Sequence, residues 1–209
     1  MDKILNLIKQ NKNDIIKPVV VLLAICILIP LALSLTNKIT AGRITELELK
    51  AQNDAMSALI DADKFEEIVF GEKEQITYNS AIKDGKVVGY IFKTSSKGYS
   101  GGNVSVMTAI NPDGTVKAVK ILDVSNETPG LGQNAAKESF YSQFSDKERE
   151  IKAVKNKARE DFNEIKTITG ATITSKAVTT AVNEALENYY MISLLSSTYA
   201  PETEVSGNE

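Results

Sequence analysis

A run of 20 uncharged residues from Pro18 to Asn37 constrains this chain more than any other feature of its sequence. The residues are almost all apolar and read PVVVLLAICILIPLALSLTN. A helix that rises about 1.5 Å per residue needs about 20 such residues to cross the hydrocarbon core of a bilayer. Pro30 is tolerated in a membrane helix, and Cys26 is a small apolar residue there. The run therefore predicts a single transmembrane anchor over residues 18–37.

Charge is distributed unevenly around this run. Residues 1–17 contain four lysines and two aspartates, a net charge of +2. Because the net charge of the whole chain is −3 and the run is uncharged, the residues after the run carry a net charge of −5. By the positive-inside tendency, we expect residues 1–17 in the cytoplasm and the acidic remainder outside the cell membrane. Lys38 and Arg43, directly after the run, weaken this asymmetry.

Three other interpretations of the run are weaker. A cleaved signal peptide has a shorter apolar core and a cleavage site between small residues, and the sequence LSLT at 33–36 offers no such site. Lipidation of Cys26 is disfavoured because Ile25 precedes it and mostly apolar residues follow. A buried helix of a soluble protein is disfavoured because the run has no polar face.

Composition excludes several classes of chemistry. The 209 residues include no His and one Cys, which removes His-based triads, His-containing zinc sites, Cys-x-x-Cys pairs and intrachain disulfides. The sequence therefore predicts no metal site and no catalytic group of these kinds. A net charge of −3 also argues against nucleic acid as a partner, because phosphate binding needs a concentrated basic surface.

The residues after the run alternate between helical and strand patterns. Helical spacing predicts a membrane-proximal helix over 38–64, and 65–70 is ambiguous. Strands are predicted at 86–93, 104–110 and 115–124, with Asn111-Pro112-Asp113-Gly114 as a hairpin turn. A helix is predicted at 134–144, an exposed helix or loop at 146–162, and a short strand at 164–168. These patterns indicate an α+β fold with an antiparallel sheet and flanking helices, in a domain over 65–198.

The C-terminal part of that domain contains the clearest helical pattern. Apolar residues recur at the i, i+3, i+4, i+7 spacing of one helix face, at Val178, Ala181, Val182, Ala185, Leu186 and Tyr189. Residues 199–209 are polar and acidic, and are expected to form a flexible tail.

Immediately before this helix stands Thr169-Gly170-Ala171-Thr172-Ile173-Thr174-Ser175. Ser175 or Thr174 is a candidate N-cap, because a hydroxyl can accept a hydrogen bond from the first turn. The free N–H groups at a helix N-terminus also favour phosphate, and several of these hydroxyls could be esterified to one. The residues alone favour a simple helix cap after a tight turn, and leave the phosphate site as an alternative.

Two glycine-rich loops complete the set of motifs. Glu127-Thr128-Pro129-Gly130-Leu131-Gly132 places an apolar side chain in a polar turn, where Leu131 either covers a flat ligand or packs into the core. Gly98-Tyr99-Ser100-Gly101-Gly102 precedes a strand, and a plain turn is its default interpretation.

The combination of Gly-Tyr-x-Gly, the hairpin, Glu-Thr-Pro-Gly-Leu-Gly and Thr-Gly-Ala-Thr resembles the extracytoplasmic FMN-binding domain family. Within it, the single N-terminal span and the length are most similar to the G-type subunit of the Rnf electron-transport complex. The C-type subunit of the sodium-translocating NADH:quinone reductase is a related member. The resemblance covers residues 18–195 in layout and is specific at the last two motifs.

The resemblance implies FMN joined covalently through its phosphate to Thr172, by a phosphoester that a separate flavin transferase installs. It implies further cofactor-binding residues in both motifs: Thr169, Gly170 and Ala171 around the attachment point, and Glu127, Thr128, Pro129, Gly130 and Leu131 along the isoalloxazine ring. Two positions depart from the family. Lys166 stands where an Asp is frequent, which affects the pattern that the transferase recognises, and Ser125 stands where many members have His.

The function that the resemblance implies is electron transfer without substrate chemistry on this chain. Electrons would pass between ferredoxin and NAD through the other Rnf subunits, coupled to movement of Na⁺ or H⁺. One alternative is a standalone membrane-anchored FMN carrier. Another is a cofactor-free membrane-anchored binding or assembly protein, in which Thr172 only caps a helix.

Overall fold

The computed structural model describes residues 12–71, 75–156, 158–159 and 163–198. The chain divides into two compact units, Met1–Gln52 and Asn53–Glu209. The predicted tail at 199–209 lies outside the described residues, as do residues 1–11 of the predicted cytoplasmic segment.

A single helix, α1 (Lys12–Leu59), makes up the described part of the first unit and enters the second. It contains the stretch Ile16–Arg43, which is long and apolar enough to cross a membrane and whose side chains have no protein cover. An apolar surface of this length that no other part of the protein covers fits a bilayer and does not fit the core of a soluble protein. The helix continues through Pro30 and ends five residues before the predicted boundary at 64.

The second unit is built on a five-stranded antiparallel sheet in which each strand pairs with the next along the chain. Its strands are β1 (Lys64–Phe70), β2 (Ile76–Lys83), β3 (Lys86–Lys97), β4 (Asn103–Ile110) and β5 (Val116–Asp123). The predicted turn joins β4 to β5, with Gly114 at φ +93° and its N–H bonded to the Asn111 carbonyl at 2.9 Å.

Both faces of the sheet are covered. On one face, Ala55, Met56 and Leu59 at the end of α1, and Ile60 directly after it, pack with buried residues of the strands, including Met107. Gly89 on β3 permits this approach, because a Cβ there would lie 2.8 Å from Ile60 Cδ1. The other face supports the larger core.

The helix α3 (Thr172–Thr198) packs on that second face. All six residues of its predicted apolar face are buried, which confirms the helical spacing. Thr94 on β3 is tied to the helix by a 2.7 Å hydrogen bond from its hydroxyl to the Ala181 carbonyl. The fold is α+β, as predicted.

The chain between β5 and α3 differs from the prediction in two places. The helix expected over 134–144 is three short pieces: a 3₁₀ turn (Gly132–Ala136), α2 (Glu138–Tyr141) and a second 3₁₀ turn (Ser142–Phe144). Phe140 and Phe144 are nonetheless buried, with their rings edge to face, so side-chain packing and not a continuous helix determines this segment.

The segment predicted as a helix or loop over 146–162 contains a strand, β6 (Lys152–Val154). It pairs in parallel with β7 (Glu164–Lys166), the short strand expected near 164–168. The sequence pattern is ambiguous for β1 and does not predict β2.

Candidate functional site

A cleft of about 470 Å³ lies where the two glycine-rich loops meet the start of α3. A volume of a few hundred Å³ is typical of sites for small molecules and cofactors. The residues that line it come from three separate motifs: Tyr99, Thr128, Leu131, Gly132, Gly170, Ala171, Thr172, Ile173 and Thr174.

Two tight turns bring the motifs together. In the first, the Leu131 N–H donates to the Thr128 carbonyl at 3.1 Å, with Gly130 at φ +74°. In the second, the Ala171 N–H donates to the Ile168 carbonyl at 3.0 Å, with Gly170 at φ +81°. Glycine is favoured at both third positions because a positive φ strains other residues.

The side chain of Leu131 spans the gap between the two turns. It is 42% exposed, which excludes the interpretation in which it packs into the core. A Cβ on Gly170 would lie 3.0 Å from Leu131 Cδ2, so the absence of a side chain at Gly170 lets the leucine lie over that turn.

The helix begins three or four residues earlier than the two candidate caps, Thr174 and Ser175, implied. α3 starts at Thr172, so Thr174 and Ser175 lie in its first turn and neither is an N-cap. The Ser175 hydroxyl donates to the Ala171 carbonyl and accepts from the Ile168 N–H, both at 2.9 Å. These bonds join the turn to the helix and let the helix start directly after Gly170.

Glu127 lies beneath the cleft and not in its lining. It is 2% exposed. Its carboxylate accepts a hydrogen bond from the Thr174 hydroxyl and longer ones from the N–H groups of Tyr99 at 3.3 Å and Ser100 at 3.5 Å. The carboxylate thus connects the Gly98–Gly102 loop to the first turn of α3.

The structure brings together five of the nine residues predicted for the site. Thr128, Leu131, Gly170, Ala171 and Thr172 line the cleft. The other four, Glu127, Pro129, Gly130 and Thr169, are not in the lining.

Four lining residues were not assigned to the site from the sequence. Gly132 and Thr174 belong to or adjoin the two motifs that carry the resemblance, and Ile173 lies between the hydroxyl-bearing residues Thr172 and Thr174. Tyr99 lies in the loop whose default interpretation was a plain turn. The one feature of the sequence that could have indicated a role for Tyr99 is an aromatic residue between two glycines.

The cleft is neutral and has an apolar rim. Tyr99, Leu131 and Ile173 are 67%, 42% and 52% exposed, which is unusual for large apolar side chains grouped at one opening. The nine described lining residues include no Asp, Glu, Lys, Arg, Cys or His. A rim of this kind suits the faces of a flat, largely apolar ring system, and this lining offers no acid, base or thiol nucleophile for hydrolysis.

Lys166, one of the two positions that depart from the family pattern, lies outside this cleft. The Lys166 N–H donates to the side-chain oxygen of Gln143 at 2.8 Å, and the Gln143 amide donates to the Lys166 carbonyl at 3.3 Å. Gln143 therefore fixes the backbone six residues before Thr172, while the Lys166 side chain remains exposed. A second cleft of about 420 Å³, lined in part by Lys137 and Lys166, adjoins this position.

Comparison with known proteins gives concordant matches. The FMN-binding domain family matches residues 98–187. The chain is 39% identical over 180 residues to the G-type subunit of the proton-translocating ferredoxin:NAD(+) oxidoreductase complex of Clostridium ljungdahlii, covering 85% of this chain and 93% of that protein. It is 36% identical over 178 residues to the corresponding subunit of the Na(+)-translocating complex of Acetobacterium woodii, covering 78% and 85%.

Among solved structures, one partial match is the C-type subunit of the Na(+)-translocating NADH-quinone reductase from Parabacteroides distasonis. The TM-score is 0.48 at 26% identity, and the match covers 56% of this chain and 61% of that one.

Proposed function

The chain belongs to the family of G-type subunits of the ion-translocating ferredoxin:NAD(+) oxidoreductase complexes, and we propose that it is the membrane-anchored electron carrier of such a complex, with FMN bound covalently to Thr172. The observation that carries this proposal is the neutral cleft with an apolar rim, in whose lining Thr172 is the one hydroxyl-bearing residue of the Thr-Gly-Ala-Thr-Ile-Thr-Ser motif that is not buried.

The four hydroxyls of the motif have different environments. Thr174 and Ser175 are buried, and their hydroxyls are bonded to Glu127 and to the Ala171 carbonyl. Thr169 is exposed but does not line the cleft. Thr172 lines the cleft and is only half-buried, which supports its oxygen as the one that carries the phosphoester.

The start of α3 favours a phosphate beside Thr172. The first N–H groups of a helix lack intrahelical partners, and the helix dipole adds partial positive charge at this end. Gly170 and Ala171, directly before Thr172, are small and allow a ligand to approach the backbone closely. The helix N-terminus helps to neutralise the charge of a phosphodiester, and the small residues leave space for it. Both features support attachment of FMN at Thr172.

The rim residues suit the isoalloxazine ring. Tyr99, Leu131 and Ile173 offer apolar surface against its faces, and the Thr128 hydroxyl offers a hydrogen bond to its polar edge. FMN supplies one-electron transfer when bound, and the protein tunes it by burial, hydrogen bonds and nearby charge. Pro129 and Gly130 shape the turn that carries Leu131, and Thr169 precedes the turn glycine Gly170.

Attachment requires a separate flavin transferase that uses FAD. The Thr172 Oγ would form a bond to the FMN phosphorus, its proton would be lost, and AMP would leave as the pyrophosphate bond breaks. A covalent link prevents loss of FMN from a domain on the outer side of the membrane. We place residues 1–17 in the cytoplasm, the anchor at 18–37, the membrane-proximal segment, in which α1 ends at Leu59, at 38–64, the FMN domain over 65–198 outside, and the acidic tail at 199–209.

The partners in this proposal are the other subunits of the complex, which would pass electrons between ferredoxin and NAD with movement of Na⁺ or H⁺. The test is complementation of a host strain that has the other subunits and lacks this one. Wild-type chain should restore ferredoxin-dependent reduction of NAD by its membranes. Thr172→Ala should not restore it, although the protein accumulates, and Thr180→Ala, at an exposed position of α3 outside the motif, should. Restoration by Thr172→Ala would overturn the proposal.

A further inference from the structure

The buried carboxylate of Glu127 has no role in the function proposed above, because it lies under the cleft and not in its lining. Burying a charged group is costly unless the group is fully hydrogen-bonded or paired with an opposite charge. The ion pairs formed in the described part of the chain do not involve Glu127. Such a group needs an explanation in terms of its hydrogen bonds.

Each oxygen of this carboxylate faces a group that donates. Oε2 accepts from the Tyr99 N–H at 3.3 Å and from the Thr174 hydroxyl. Oε1 faces the Ser100 N–H at 3.5 Å and the Ser100 hydroxyl at 3.4 Å. Backbone N–H groups can only donate, so both oxygens must act as acceptors. A glutamine cannot satisfy this arrangement, because its NH₂ would face one of the two N–H groups.

Two glycines from different loops make room for the carboxylate. A Cβ on Gly98 would lie 2.1 Å from Glu127 Oε1, and a Cβ on Gly132 would lie 2.8 Å from Oε2. Any side chain at either glycine would displace the carboxylate. The surrounding backbone is therefore shaped to hold Glu127 in this position.

We infer that Glu127 is a positioning residue that connects the Gly98–Gly102 loop to the first turn of α3, and that its charge under the cleft lowers the reduction potential of the bound flavin. Tyr99 lies on the rim, and Thr174 is two residues after Thr172. The carboxylate thereby fixes rim and attachment point relative to each other. Reduction adds negative charge to a flavin, and a nearby carboxylate disfavours this. The second half of the inference rests on the proposed function.

The positioning half can be tested without flavin, by amide hydrogen exchange on the full chain in detergent. Glu127→Gln should raise the exchange rate of at least one of the Tyr99 and Ser100 amides, the one that faces the NH₂ group, by about tenfold, as expected when a buried hydrogen bond is lost. Glu138→Gln removes the same charge at an exposed position and should leave both rates unchanged. Unchanged rates in Glu127→Gln would overturn this half.

A second pair of variants keeps the positioning half testable if Glu127→Gln does not fold. Thr174→Val removes the donor hydroxyl and keeps the shape of the side chain, whereas Thr174→Ser keeps the donor. We expect faster exchange in the first turn of α3 for Val and near-wild-type exchange for Ser. Equal behaviour of the two variants would mean that only packing matters at Thr174, which contradicts the inference.

The charge half is tested by the reduction potential of flavin-loaded protein, measured by spectroelectrochemistry. The potential should rise in Glu127→Gln and stay at the wild-type value in Glu138→Gln. A wild type that carries flavin together with an unshifted Glu127→Gln variant would overturn the charge half alone. A wild type that takes up no flavin beside an active transferase would overturn the proposed function and this half with it, and hydrogen exchange would still decide the positioning half.

Discussion

At the scale of single residues, the cleft depends on Gly132, where the loop that begins at Glu127 meets Thr174 of α3. A Cβ there would lie 2.7 Å from Thr174 Oγ1 and 2.8 Å from Glu127 Cβ, closer than real contacts allow. Gly132→Ala should therefore lower the free energy of unfolding by about 1–3 kcal/mol, the usual cost of overpacking, and should reduce the flavin content.

The control for Gly132→Ala is Gly130→Asn. Gly130 has open space around its Cβ position and φ +74°, a conformation that Asn tolerates better than most residues. Urea unfolding of both variants measures the effect. A destabilisation no larger than that of Gly130→Asn would show that the Gly132 contact is not tight.

At this scale, the local motifs of the site can be predicted from the sequence and the contacts between them cannot. The Thr-Gly-Ala-Thr and Glu-Thr-Pro-Gly-Leu-Gly motifs were identifiable, and their turns form at Gly130 and Gly170. The placement of Glu127 under the cleft was not predictable, because its contact with Thr174 joins residues 47 positions apart. Local spacing carries no information on such a contact.

At the scale of elements, α3 packs on the sheet through the larger hydrophobic core and so holds its first turn at the cleft. Leu186 is fully buried in the larger core. Leu186→Ala should lower the free energy of unfolding by about 2–5 kcal/mol, because it leaves a cavity. Glu187→Ala changes the exposed neighbour and should cost much less. Denaturant unfolding in detergent compares the two, and equal losses would contradict this view of the core.

The start of β7 gives the domain a pH-dependent contribution to stability. The Arg159 guanidinium donates to Glu164 at 2.8 Å, and this bonding holds the pKa of the Glu164 carboxyl below its usual range. Since the folded state has the lower pKa, the stabilisation is present above the ordinary pKa of a glutamate. It is lost as the pH falls through the depressed value.

Urea unfolding at a series of pH values tests this contribution. The difference in unfolding free energy between the wild type and Glu164→Gln should be largest near neutral pH and should shrink on acidification. Glu138→Gln, at an exposed site, should show a smaller difference. A Glu164→Gln difference that stays constant with pH would contradict the pairing.

Elements were predictable from sequence where one pattern dominated. The apolar face of α3 and the hairpin of β4 and β5 follow from periodicity and from the Asn-Pro-Asp-Gly turn. β2 was missed because its polar residues, Asn79 and Ser80, obscure the strand pattern, although Ser80 is buried by its neighbours. The helix expected over 134–144 is divided into three short pieces, two of which bury Phe140 and Phe144.

At the scale of the whole molecule, the proposal places residues 1–17 and the FMN domain on opposite sides of the membrane. The one cysteine of the chain, Cys26, makes this testable. In a Cys26→Ala background, Ser139→Cys should react with a membrane-impermeant maleimide in intact cells. Lys17→Cys, before the span, should react only after permeabilisation. The reverse pattern would place the FMN domain in the cytoplasm.

The central claim is that Thr172 carries FMN, and intact mass with peptide mapping tests it most directly. The protein is produced beside a flavin transferase. We expect the peptide containing Thr172 to gain the mass of FMN less one water, with the modification retained in Thr180→Ala, at an exposed position of α3, and absent in Thr172→Ala. An unmodified peptide in the wild type, or flavin on a different residue, would contradict the account.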